Sequence, residues 1–202
     1  MADVCNCNCN CDNHSLLYQS PIELSSSSSN LILSSLNISL PNTDIISKYN
    51  HIYQHWDVLN DIIYDNNDIQ YKLAEYHLHS PGEHKIDGES HLAEIHFVFK
   101  NIDQDVFLVI SYIIDISSDS SSHIFYNMLL DLPFPLPRLN KYFTYPGSLT
   151  TSPFNININW IVNQFPIYIT YDFFELLRDK FKPSRPIQKR NGRNISLIEI
   201  IL

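Results

Sequence analysis

Within Leu73 to Phe99 two segments alternate polar and apolar residues one by one, Glu75-Tyr76-His77-Leu78-His79 after Leu73-Ala74, and Glu94-Ile95-His96-Phe97 after Leu92-Ala93. In a strand, residues i and i+2 share a face. Glu75, His77 and His79 therefore project together from the first stretch, and Glu94 and His96 from the second. Asp87-Gly88, near the middle of the intervening segment, is turn chemistry that can lay the two strands side by side antiparallel. Three imidazoles then converge on one face, with one carboxylate two residues before His77 and another two before His96. Three neutral histidines with an open fourth position are the ligand set of a catalytic zinc site. The competing reading of the same residues is a buried polar cluster without metal.

The remaining pattern predicts mostly strands. Leu36 to Leu40 alternates and stops at Pro41-Asn42, and His51 to Val58 reads as a second strand. Asp65-Asn66-Asn67-Asp68 is a turn leading into the His77 strand. Val106 to Ile114 is almost unbroken apolar and β-branched, which suits a strand buried on both faces. Ser25 to Ser29 and serines 117, 118, 120, 121 and 122 read as solvated loops. Phe125 to Leu132 reads as a short helix stopped by Pro133. Tyr142 to Thr151 is coil or strand. Beyond it, Ile156, Ile158 and Trp160 share one face of a strand, Thr170 caps a short helix running to about Lys180, and Ile195 to Leu202 closes the chain as a strand. The class expected is mainly β (α+β), one domain over 18–202 after a disordered Cys- and Asn-rich tail over 1–17.

Composition narrows the partners. The formal charge is −9, from 13 basic and 22 acidic residues, which disfavours nucleic acid and anionic membranes. All four cysteines, Cys5, Cys7, Cys9 and Cys11, lie in the tail, so no disulfide can staple the core, and this suits a reducing compartment. No apolar run is long enough for a transmembrane helix, and the N-terminus lacks the build of a signal peptide. The expectation is a cytoplasmic protein, with a monomer favoured.

At His77-x-His79-Ser80-Pro81-x-Glu83-His84, followed by Ala93-Glu94-Ile95-His96, the chain resembles the α-class carbonic anhydrases. Three further motifs fall in the family's order. They are Gln19-Ser20-Pro21-Ile22, then Tyr145-Pro146-Gly147-Ser148-Leu149-Thr150-Thr151 with Trp160 beyond it, then Arg185-Pro186-Ile187-Gln188 with Asn191 and Arg193. The resemblance implies a twisted, mostly antiparallel central sheet with short peripheral helices. It implies Zn2+ held by His77, His79 and His96, and Glu75 and Glu94 as the carboxylates behind those ligands. Thr150, held by Glu83, would orient the nucleophile, and His51 would be the proton shuttle, with His55 its competitor. Val98, Val109, Leu149, Thr151, Ile158 and Trp160 would line a small pocket for carbon dioxide.

The activity implied by the resemblance is that of a zinc lyase, hydrating carbon dioxide reversibly to bicarbonate by a zinc-hydroxide mechanism. The alternative is a catalytically weak or inactive relative that binds a partner such as a glycosaminoglycan. The chain departs from the family's pattern at two places near the site. Glu75 replaces a glutamine, an added negative charge expected to move activity to more alkaline pH, and Pro183-Ser184 stand where Asn-Trp is common.

Overall fold

The computed structural model describes residues 17–34, 40–66, 69–118 and 123–201. Within them the chain forms β1 (Glu23–Leu24), β2 (Asn30–Ser34), β3 (Ser47–Asn50), β4 (His55–Val58), β5 (Ile63–Asn66), β6 (Ile69–His79), β7 (Lys85–Ile86), β8 (Glu89–Ser90), β9 (Ala93–Asn101) and β10 (Phe107–Ile116). There follow α1 (His123–Leu129), β11 (Lys141–Ser148), β12 (Ile156–Asn163), β13 (Ile167–Ile169), α2 (Tyr171–Leu176), β14 (Phe181–Lys182) and β15 (Ser196–Ile200). A 12-stranded sheet runs in the order β2-β15-β11-β12-β10-β9-β6-β4-β3, with β5 and β14 on β6 and β13 on β10. It is mostly antiparallel, as expected, but β12 and β13 run parallel to β10, β14 to β6, and β2 to β15.

β6 changes faces partway along. Upstream, Tyr71 and Leu73 are buried in the main apolar core; downstream, Tyr76 and Leu78 are. The switch from odd to even positions falls at a bulge, where Leu73 pairs with Phe99 but Glu75 pairs with Val98, leaving Ala74 as the extra residue. One inserted residue inverts every later side chain. Glu75, His77 and His79 thereby leave the core side for the opposite face of the sheet. β9 and β10 need no such device. Their alternate residues Ile95, Phe97, Ile110 and Tyr112 join the main core. On the other face Val98 and Val109 enter a smaller cluster with Ile158, Trp160 and Val162.

The hairpin turn forms as its sequence predicts. Asp87 and Gly88 both adopt positive φ (+50° and +87°), the conformation a tight two-residue reversal between β7 and β8 requires. Thr170 caps α2, its hydroxyl accepting from the Phe173 N–H at 3.3 Å.

Several expectations need correction. His51 to Val58 is not one strand. Residues 51–54 form the turn of the β3–β4 hairpin, with Asn50 opposite His55. Ser26 is not simply solvated, because its N–H and hydroxyl both donate to the Asp87 carboxylate, at 2.6 and 2.7 Å. Leu40 lies in no strand. The rest of that expected strand, Asn67-Asp68, Ser120 to Ser122 and the Cys5–Cys11 tract lie outside the described residues. Among the described residues, no helix is long and apolar enough to cross a membrane.

Candidate metal centre

His77 and His79 come from β6. His96 sits on β9 directly across from His77, and His79 is across from Glu94. The three ring centroids lie 4.9, 5.2 and 4.9 Å apart, and all three side chains are buried. Each ring is held by one nitrogen. His77 Nδ1–H donates to Glu75 Oε1 at 3.0 Å, His79 Nδ1–H to the Pro183 carbonyl at 3.1 Å, and His96 Nε2–H to Glu94 Oε1 at 2.9 Å. That leaves His77 Nε2 and His79 Nε2 buried with no partner, and Nδ1 as the remaining ring nitrogen of His96. One nitrogen from each ring can be chosen so that all lie within 4.8 Å of one another.

A buried polar atom without a partner is costly, and two aimed at one point need an explanation. Three imidazole nitrogens whose opposite N–H groups are fixed by carboxylate or carbonyl acceptors fit a zinc ion. His77 and His79 are in the right state for it. Burial lowers the pKa of His77, and burial with the neighbouring imidazoles of His96 and His77 lowers that of His79 to about 2. For His96 burial acts in the same direction, but the Glu94 carboxylate outweighs it and the pKa rises.

Glu94 is the most heavily bonded acceptor of the site. Its Oε2 accepts the N–H groups of Glu83 and His84, both at 2.8 Å. Its Oε1 accepts from His84 Nδ1 at 2.6 Å, from His96 and from the Ser111 hydroxyl. Burial alone would raise its pKa, but His84 and His96 hold it well below the usual carboxylate range. His84 continues the network through Nε2 to the Tyr145 hydroxyl at 2.6 Å, and Tyr145 donates to Ser20 Oγ at 3.0 Å. Gly147 makes that approach possible, since a Cβ there would collide with Ser20 Oγ and the Trp160 ring.

Glu83, also buried, accepts the Arg185 N–H at 2.7 Å through Oε1. Its Oε2 has no hydrogen-bond partner, and burial raises the Glu83 pKa despite the opposing pull of His96, with the Thr150 hydroxyl a smaller influence in the same lowering direction. Val98, Val109, Ile158 and Trp160 form one apolar cluster with Leu149 against it, and the Trp160 ring centroid is 5.0 Å from that of His96. Thr151 is exposed and outside that cluster. His51 is exposed in the β3–β4 turn, edge-on to Tyr49, with no hydrogen bond to the three histidines. His55, by contrast, places Nδ1 3.2 Å from Glu75 Oε2.

Sequence reasoning assigned no role to His84, Ser111, Tyr145, Ser20 or Arg185. All but Ser111 sit inside the family motifs, which was the available signal. The Pro183 contact uses a backbone carbonyl, so the missing Asn-Trp side chains do not affect it.

Fold and site together define a β-sheet protein with a buried three-histidine cluster able to hold a metal ion. Comparison with known proteins shows what that class resembles. Residues 104–198 match the family model described as eukaryotic-type carbonic anhydrase. A carbonic anhydrase of Pectobacterium atrosepticum is 28% identical over 157 residues, covering 67% of this chain and 61% of its own length. Alpha carbonic anhydrase 3 of Arabidopsis thaliana is 28% identical, covering 66% of this chain and 55% of its own. The match thus spans little more than half of each curated relative. The structure of Photobacterium profundum alpha-carbonic anhydrase superposes with a TM-score of 0.75 at 22% identity, covering 91% of this chain and 89% of that one. Over its C-terminal half the chain is similar to the eukaryotic-type carbonic anhydrases, and its fold is that of the α-class structures.

Proposed function

We propose that the protein is a zinc-dependent carbonate dehydratase that interconverts carbon dioxide and bicarbonate. The observation that carries this reading is the convergence of two partnerless buried nitrogens, His77 Nε2 and His79 Nε2, with His96 beside Glu83 and Thr150. Zinc held by His77, His79 and His96 would supply a Lewis acid that makes water nucleophilic near neutral pH, an effect for which carbonic anhydrase is itself the standard example. The protein's own residues do the rest. Glu75, Glu94 and the Pro183 carbonyl fix the ligand tautomers. A Thr150 hydroxyl that donates to Glu83 has only lone pairs left for the site, so a group bound there must bring a proton. Val98, Val109, Leu149, Ile158 and Trp160 offer an apolar wall to a substrate with little to hydrogen-bond, and Thr151 stands at its exposed edge. His51, in the exposed turn, carries protons to solvent.

The test pairs zinc content with carbon dioxide hydration, wild type against His96→Ala. The expected result is one zinc per chain and inhibitor-sensitive hydration in the wild type. His96→Ala should weaken zinc binding by at least a hundredfold and lose hydration with it. Stoichiometric zinc without hydration would replace the enzyme reading with that of a binding protein on the same scaffold.

A further inference from the structure

Glu75 lies between two histidines. His77 Nδ1 reaches both of its oxygens, at 3.0 and 3.1 Å, and His55 Nδ1 approaches Oε2 from the other side at 3.2 Å. The other nitrogen of His55, Nε2, is 2.8 Å from Asp57 Oδ1, and Asp57 Oδ2 accepts from Asn50 Nδ2 at 3.0 Å. His55 therefore stands between two carboxylates. The ring is also confined, stacked on Tyr53 with an interplanar angle of 20° and centroids 5.7 Å apart.

We propose that His55 is a positioning residue of the metal centre. It pins the Glu75 carboxylate, which in turn fixes the tautomer and direction of His77. This rests on the three-histidine site binding zinc. His55 and His51, four residues apart, then have different tasks: His55 acts on the ligand shell and His51 faces solvent.

A double-mutant cycle on zinc affinity tests the idea, because it reads the coupling between His55 and Glu75 independently of turnover. Zinc binding is measured by chelator competition for wild type, His55→Ala, Glu75→Gln and the double variant, with the melting temperature of each zinc-free protein as a check on folding. His55→Ala should weaken zinc about tenfold when Glu75 is present, within the range for groups behind metal ligands. In the Glu75→Gln background, where the carboxylate that His55 holds is gone, the same change should cost less than about twofold by the same reasoning. Equal losses in both backgrounds, or no loss in either, would overturn the role assigned to His55. His55→Gln, which keeps one donor but cannot bridge two carboxylates, carries the same cycle if the alanine variant does not fold. A wild-type protein that takes up no zinc would overturn the function reading as well; zinc uptake without coupling overturns only the role of His55.

Discussion

The two faces of β6, β9 and β10 are built from alternate residues of the same strands and obey opposite rules. One face carries Tyr76, Leu78, Ile95, Phe97, Ile110 and Tyr112, an apolar and aromatic surface stabilised by burial and dense packing. The other carries Glu75, His77, His79, Glu94, His96 and Ser111, nearly as buried but held by directed hydrogen bonds. The first tolerates reshuffling among apolar side chains of similar volume. The second tolerates almost none, because each donor meets a particular acceptor and an unpaired one is costly at low dielectric. A single sheet can hold both only if parity is kept, and on β6 parity is set by one residue.

Deleting Ala74 is therefore the most damaging change expected. Without the bulge, either Tyr71 and Leu73 turn out of the core or the Glu75, His77 and His79 set turns into it. Turning out two large apolar side chains costs about 1.5–3 kcal/mol each, and burying an unpaired carboxylate costs several more. Either cost alone is a large part of the whole stability of a typical domain, about 5–15 kcal/mol. The expected outcome is an insoluble chain, or one without a cooperative denaturant transition. A soluble, cooperative deletion variant with near wild-type zinc affinity would show that parity does not separate the two faces.

Much of this comparison was legible in the sequence. The His77, His79 and His96 set follows from strict alternation, and the turn between β7 and β8 follows from Asp87-Gly88. Even the bulge left a trace. Apolar positions run 71, 73 and then 76, 78, so the spacing breaks between Leu73 and Tyr76. The β3–β4 hairpin was not legible for a physical reason. Its turn ends at Gln54 with a φ of +51°, a conformation that residue type does not advertise. Nor could alternation find the contacts of Glu94 with His84 and of Tyr145 with Ser20, which join segments that only the folded sheet brings together. The Pro183 carbonyl leaves no side-chain signal at all.

Raising the pH attacks the aromatic face selectively. Burial raises the pKa of Tyr76 and Tyr112 far above the ordinary phenol value of 10.0, and it does the same for Tyr145 beyond the metal centre. In the unfolded chain these phenols ionise near pH 10. Above that pH the folded state holds more protons than the unfolded one, so stability is intact below about pH 10 and is lost as the pH rises past it. Three phenols that remain protonated contribute a loss of about 4 kcal/mol per pH unit. Tyr112→Phe should remove about a third of that slope, together with its bond to the Pro137 carbonyl. Denaturant titrations at several alkaline pH values, read by phenolate absorbance and circular dichroism together, measure the slope. An exposed phenol ionises near pH 10 in any case. Only an absorbance rise there that accounts for all twelve tyrosines while the fold persists would therefore mean that the buried phenols are not shielded.

On the polar face a far smaller effect is expected from Ser111→Ala, and the smallness is informative. Ser111 is one of several donors to Glu94. The other donors, from the backbone of Glu83 and His84 and the rings of His84 and His96, remain in place when the hydroxyl goes. Because the carboxylate stays satisfied and the variant leaves no new unpaired polar group, the loss should be that of a single hydrogen bond, about 1 kcal/mol. Zinc affinity should change by no more than a few-fold, since the acceptor for His96 Nε2–H is still oriented. A urea midpoint and a zinc titration on the same variant decide the matter. Should Ser111→Ala instead lower zinc affinity by a hundredfold, the bonds to Glu94 would have to act as one cooperative unit rather than as redundant supports.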